Sequence, residues 1–210
     1  MKQGTIVAFG ASVLAAALLL AVWREAHSPE PDAVSGASSG PGKATMFPPP
    51  DNDYELVGVV DGLRLFTVKY DDLIYRGGAP YNAIAARTWK KYGIKTIISI
   101  TPNDHERKLC LAEGFELVEI EFVKSPGPTQ ENLDLYLDTV RKGNGPFYVH
   151  CHGGTHRGGI LGMAYRMHVQ NWTFERALVE YGRLGGNLLE DHEMIEVVKN
   201  YKQESDPEST

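Results

Sequence analysis

Pro146 to Met163 reads PFYVHCHGGTHRGGILGM, and this stretch decides how the chain folds. Phe147-Tyr148-Val149 is a short apolar run and reads as a buried strand. Ile160, Met163, Ala164 and Met167 recur at helical spacing, with the helix expected to begin near Gly159. Between strand and helix lie Cys151 and, six residues on, Arg157. A strand feeding such a loop delivers Cys151 to the carboxyl edge of a sheet. The backbone N–H groups of a tight Gly-containing turn point inward, and the helix amino terminus adds partial positive charge. An anion with three equatorial oxygens fits that nest, so His152, Gly153, Gly154, Thr155, His156 and Arg157 are the expected phosphate-binding residues. The planar fork of Arg157 can pair two oxygens at once. The same amide dipoles and guanidinium stabilise a thiolate at Cys151, placed for in-line attack on phosphorus. Gly153 and Gly154 are expected because side chains there would block the turn or the anion.

Working outward, Leu56–Val60 and Leu63–Val68 flank Asp61-Gly62, which predicts a hairpin with a two-residue turn. A helix is expected over Ala85–Tyr92, ended by Gly93, and a buried strand over Ile94–Ile100. Pro102–Glu113 reads as helix stopping at Gly114, and Phe115–Val123 as strand. Thr129 can cap a helix whose apolar face is Leu133, Tyr136, Leu137 and Val140. Two final helices fill Thr173–Leu184 and Leu189–Tyr201. Strands alternating with helices imply an α/β fold, a mostly parallel central sheet covered on both faces.

The Cys-x5-Arg loop HCHGGTHRGG resembles the phosphate loop of cysteine-dependent, dual-specificity-like protein tyrosine phosphatases. The segments YRGGAP, YGIKTIISITPNDHER, GPTQENLDLYLDTV and MHVQNWTFERALVEYG are similar to that family in order and spacing, from about Tyr75 to Gly182. The resemblance implies a cysteine phosphatase fold without a cofactor and a two-step reaction with Cys151 and Arg157 as catalytic residues. Cys151 forms a cysteinyl-phosphate, Arg157 and the loop amides stabilise the transferring group, and water hydrolyses the intermediate. The implied substrate is a phosphorylated protein or a small phosphomonoester.

Two departures from the family stand out. Aligning Gly127-Pro128-Thr129 with the family's proline-rich helix start puts Lys124 where a general-acid Asp is expected. General acid help is worth about 10²–10⁴-fold, so its loss is a handicap. Gly158 stands where the family carries Ser or Thr, whose hydroxyl assists the thiolate as leaving group, so a slow second step is expected. Asp104, Glu106 and His156 are candidates to restore the acid, with Asp104 and His156 ranked first; Glu119 and Glu121 are expected to turn away by strand alternation.

Rival readings exist. His150, Cys151, His152 and His156 crowd one loop and suggest a zinc site. Strand alternation separates Cys151 from His150 and His152, however, and the sequence supplies no second ligand cluster, so no metal is expected. His150 is better read as a buried histidine bonding the loop. Cys110 reads as a buried helix cysteine, with redox pairing to Cys151 as the alternative. A catalytically weak, tethered phosphate-binding module and an inositol-phosphate phosphatase are the competing functions. A cluster of Lys124, Arg157, His152 and His156 would favour the second.

The 210-residue chain carries 21 basic and 27 acidic residues, a formal net charge of -6, with 42% hydrophobic residues. That composition suits a buried core and excludes a disulfide scaffold, and the acidic balance argues against nucleic acid. Residues Thr5–Trp23 carry no charge and reach the length of a membrane span. Val22-Trp23-Arg24-Glu25 makes a poor cleavage site, so residues 1–26 read as an uncleaved signal-anchor, with a cleaved signal as the alternative. Sixteen of the 24 residues from His27 to Pro50 are Pro, Gly, Ser or Ala, a tether reaching roughly 25–30 Å. The expected organisation is anchor 1–26, linker 27–50 and phosphatase-like domain 51–210, with the domain outside the cytoplasm on a short amino-terminal tail that stays inside.

Overall fold

The computed structural model describes residues 53–202. The expected anchor and linker lie outside the described residues. Among the described residues no helix is long and apolar enough to cross a membrane.

Among the described residues, six strands and six helices follow one another: β1 Glu55–Val59, β2 Phe66–Lys69, β3 Ile74–Gly78, α1 Ile84–Lys91, β4 Thr96–Ser99, α2 Asp104–Glu113, β5 Glu116–Glu119, α3 Gln130–Lys142, β6 Phe147–Cys151, α4 His156–His168, α5 Phe174–Arg183 and α6 His192–Asn200. They form one sheet in the order β1-β2-β3-β6-β4-β5. Strands β3, β6, β4 and β5 run parallel, and β1 and β2 extend the β3 edge antiparallel. The sheet is therefore mixed, with a parallel centre. Central β6 is buried at every position, which its continuous run Phe147-Tyr148-Val149-His150-Cys151 anticipates.

Two cores cover the two faces. Phe147, Val149 and Cys151 face a cluster built with α3 to α6, including Leu133, Tyr136, Leu137, Ile160, Tyr181 and Met194. Tyr148 faces the opposite cluster, with Ala85, Trp89, Leu109 and Cys110 of α1 and α2. The alternation along β6 thus sends Cys151 to the four-helix side. Cys110 and Cys151 are both free, and they belong to different cores. Burial, then the charge of Glu106, pushes the Cys110 thiol up to about 12, as suits a packing residue.

Element ends follow their caps. Thr129 and Asn132 form a reciprocal capping box at α3, and Gly114 ends α2 in the left-handed conformation. Helix α4 begins at His156 rather than near Gly159, because Gly158 and Gly159 are absorbed into its first turns. Strand β5 stops at Glu119, short of the expected Val123. The first hairpin also differs from expectation. Val59 pairs with Phe66, so six residues connect the strands instead of two. Gly62 has φ +82°, and beyond it Leu63 leaves the ladder, bridges to Pro80 and buries in the second core.

A second framework ties α4 and α5 together and to the segment before β1. Arg166 in α4 forks onto both oxygens of Glu180 in α5, at 2.9 and 2.8 Å. It also donates to Gln170 at 2.5 Å and to the Asp53 carbonyl at 2.8 Å, and stacks on Trp172. The guanidinium is 1% exposed, so these partners replace its water shell almost completely.

Candidate active site

The site forms where β6 ends and α4 begins. Strand β3 lies beside β6 in parallel register, placing Gly77 opposite His150 and Gly78 opposite Cys151. The loop after Cys151 folds back over this glycine pair. The His152 carbonyl accepts from Ala79 N–H at 3.1 Å, fixing the loop to the strand that follows. Gly154 has φ +79°, and a Cβ there would lie 2.2 Å from the Gly77 carbonyl carbon. Only glycine meets both demands. Gly153 is less constrained, since a Cβ there meets the end of the flexible Leu65 side chain at 3.2 Å and Thr155 Oγ1 at an ordinary 3.8 Å.

Cys151 is 4% exposed, and two backbone amides converge on its sulfur: Gly154 N–H at 3.3 Å and Gly158 N–H at 3.4 Å. Gly158 lies in the first turn of α4, so its amide is one of the helix's unpaired donors. Beneath the loop, the buried Arg76 of β3 donates to the Thr155 carbonyl at 3.3 Å, and to Leu184 at 3.5 Å. It lies against the rings of Phe66 and Tyr70. This support was not assigned from the sequence, although Arg76 lies in YRGGAP, one of the segments that carry the resemblance.

Arg157 extends toward the loop after β5, where its guanidinium donates to the Phe122 carbonyl at 3.2 Å. A cavity of about 430 Å³ opens there, lined by Ile100, Phe122, Val123, Pro126 and Arg157 among others, with Glu121 its one carboxylate. His152 is exposed, while Thr155, His156 and Arg157 are partly covered.

Asp191, which no spacing in the sequence singled out, ties the rim together. Its Oδ2 accepts from His156 Nδ1 at 2.5 Å, Tyr181 Oη at 2.6 Å and the Asn187 amide at 3.1 Å. Its Oδ1 pairs with Lys124 Nζ at 2.9 Å. Burial pushes this carboxyl up, but the Tyr181 hydroxyl, Lys124 and His156 together outweigh it and hold it at about 2. The contact lies 35 residues from His156 in the chain, beyond the reach of any local pattern.

The acid candidates sort accordingly. Lys124 is paired with Asp191 and, at 3.4 Å, with Glu190, and the Asp191 contact holds its amine further in the protonated form. Glu106 is wholly buried and bound to His150 Nε2 at 2.5 Å and Ser99 Oγ at 2.9 Å. His150 therefore bonds α2 rather than the phosphate loop. The reason is the pleat, which points it to the face opposite Cys151. Asp104 is held at the surface by Arg107 at 3.0 Å. Glu119 also turns to Arg107, at 2.6 Å, and the exposed Glu121 carboxylate lies 3.9 Å from the same guanidinium, although Glu121 also lines the cavity beside Arg157. No group of three or more metal-ligating side chains forms among the described residues.

A buried strand ending in a cysteine, a nest of amides around its sulfur and an arginine at the following helix define the cysteine-phosphatase class. The chain belongs to the tyrosine phosphatase family, whose model matches residues 63–209, and it is a phosphatase-type hydrolase. Its fold is similar to P. aeruginosa TpbA, solved in complex with pTyr, at 20% identity over 72% of this chain and 91% of that one, TM-score 0.57. It is also similar to the core catalytic domain of the PP-IP phosphatase SIW14 from S. cerevisiae, at 19% identity, TM-score 0.53, over 75% and 89% of the two chains. Among curated proteins, a phosphatidylglycerophosphatase and protein-tyrosine phosphatase of Rattus norvegicus is 23% identical, covering 65% of this chain and 76% of its own length.

Proposed function

We propose that this protein hydrolyses phosphomonoesters through a cysteinyl-phosphate on Cys151, and that aryl phosphates such as phosphotyrosine are its favoured substrates. The observation that carries the reading is the sulfur of Cys151 beneath two inward amides, at 3.3 and 3.4 Å, one of them at a helix amino terminus. In the first step the thiolate attacks phosphorus in line and the ester oxygen leaves. Loop amides and the Arg157 fork receive the equatorial oxygens, whose charge they offset. In the second step water attacks the same phosphorus, the P–S bond breaks and inorganic phosphate departs.

Two features support an aryl leaving group over a polyanion. The cavity beside Arg157 is walled by Ile100, Phe122, Val123 and Pro126, which suits a ring more than further phosphates. Of the four residues considered as a basic cluster, Lys124 and His156 are both bound to Asp191. Binding of phosphotyrosine by TpbA, as its complex states, agrees with this preference. The uncharged run Thr5–Trp23 supports tethering to a membrane, with the domain beyond the cytoplasm on the linker 27–50.

The test is phosphate release by the full chain and by its Cys151→Ser form. The panel holds 4-nitrophenyl phosphate, phosphotyrosine and phosphoserine peptides, a phosphoinositide and inositol hexakisphosphate. Turnover on the aryl substrates that vanishes in Cys151→Ser is expected. Turnover that persists in Cys151→Ser sinks the nucleophile assignment, and vanadate binding without any turnover makes the protein a phosphate-binding module. Arg157→Lys is expected to lose about 10²–10³-fold in rate and also to bind phosphate more weakly, since a point charge cannot replace the fork.

A further inference from the structure

The proposed chemistry needs a proton for the leaving oxygen, yet the position aligned with the family's aspartic acid holds Lys124, already paired with Glu190 and Asp191. We propose that His156 supplies that proton from Nε2 and that Asp191 is its positioning residue. This inference rests on the cysteinyl-phosphate reading above.

Four observations converge on the pair. His156 lies in the phosphate loop next to Arg157, five residues beyond Cys151, and its side chain is 34% exposed. Its Nδ1 is 2.5 Å from Asp191 Oδ2, whose side chain has no exposure at all. Asp191 occupies the N-cap of α6, a position where an aspartate ordinarily caps its own helix, but its side chain makes no capping bond and turns to His156 instead. Tyr181 Oη and the Asn187 amide then fix the carboxylate from α5 and the loop that follows it.

The tautomer follows from charge. Asp191 is held at about 2 and so is an ionised acceptor near neutral pH, which puts the hydrogen on His156 Nδ1. Nε2 is left as the position that gains and loses a proton. The charged and titratable groups around the pair are Asp191 with its partners Lys124 and Tyr181, Glu190 beyond Lys124, and Arg157 next in the chain at the amino terminus of α4.

The steps balance. As Cys151 Sγ bonds to phosphorus, the P–O bond to the leaving group breaks and the Nε2 hydrogen passes to that oxygen, giving the free alcohol or phenol and a neutral imidazole. Nε2 then takes a proton from the attacking water, whose oxygen bonds to phosphorus as the P–S pair returns to sulfur. Thiolate and imidazolium are both restored.

The test is kcat/KM for a series of aryl phosphates of graded leaving-group acidity, with the full chain and its His156→Asn, Asp191→Asn, Asp191→Glu and Glu121→Gln forms. For His156→Asn the expected result is little change on the most activated ester and a loss of about 10²–10³-fold on the least activated. Asp191→Asn is expected to steepen the dependence in the same sense but less, and Asp191→Glu to recover part of it. A solvent deuterium effect on the least activated ester is expected in the parent and absent in His156→Asn. A loss in His156→Asn that is uniform across the series, or a steepened series in Glu121→Gln alone, overturns the proposal. Failure of the underlying reading looks different: the parent chain turns over no ester, or Cys151→Ser retains activity on the activated one.

Discussion

At the scale of single residues, Gly158 is the position most open to test. A Cβ there would lie 3.7 Å from both Cys151 Sγ and Arg76 Cγ, ordinary contact distances, so a serine fits without displacing either neighbour. Its hydroxyl would sit beside the sulfur that must leave in the second step. Gly158→Ser is expected to raise the steady-state rate about tenfold, equivalent to about 1.4 kcal/mol of barrier, and to diminish the burst of phenol release. Rapid-mixing kinetics with 4-nitrophenyl phosphate measure both. Gly154→Ala is the opposite case. The residue is left-handed and its Cβ would collide with Gly77, so the loop must shift and vanadate binding is expected to fall more than tenfold in isothermal titration.

At the scale of elements, the buried Arg166–Glu180 fork joins α4 to α5 behind the phosphate loop. Glu180→Ala leaves the guanidinium with Gln170 and the Asp53 carbonyl but no counter-charge, and is expected to cost about 3–5 kcal/mol in urea unfolding. Most elements were legible in the sequence, because each carries its own local signal. Thr129 followed by a helical apolar stripe located α3, and the β-branched run ending at Ile100 located β4. The first hairpin misled because Asp61-Gly62 is a genuine turn signal, while the tertiary pull on Leu63 lengthened the connection. The early start of α4 was hidden by Gly158 and Gly159, whose poor intrinsic helix propensity is overridden by packing. In the site, Cys151 and Arg157 were legible from one contiguous motif. Asp191 and Arg76 were not, since each acts on the loop from a distant segment and neither spacing nor periodicity marks it.

At the scale of the whole molecule, Asp191 links the site to stability. Its folded value of about 2 lies below the ordinary 3.8, so the carboxylate contributes stability that is fully present above about pH 4 and is lost as pH falls toward 2. The shift corresponds to about 2 kcal/mol. The unfolding free energies of the parent and Asp191→Asn are therefore expected to differ most at pH 5 and to approach one another near pH 2. The acidic balance of the chain bears on its partners as well. Three basic and three acidic residues precede Asp51, leaving 18 basic against 24 acidic in the remainder, so binding of polyanions is expected to be weak and to fall with salt. Competition of inositol hexakisphosphate with an aryl substrate at two ionic strengths measures this.

The most direct test of the account is to quench the reaction of the full chain with a phosphorus-labelled aryl phosphate in acid within its first turnover and map the label by mass spectrometry. The account predicts up to one phosphoryl group per chain, carried on Cys151, absent from Cys151→Ser and short-lived in Gly158→Ser. Label on any other residue, or turnover that continues with no label on Cys151, would contradict it.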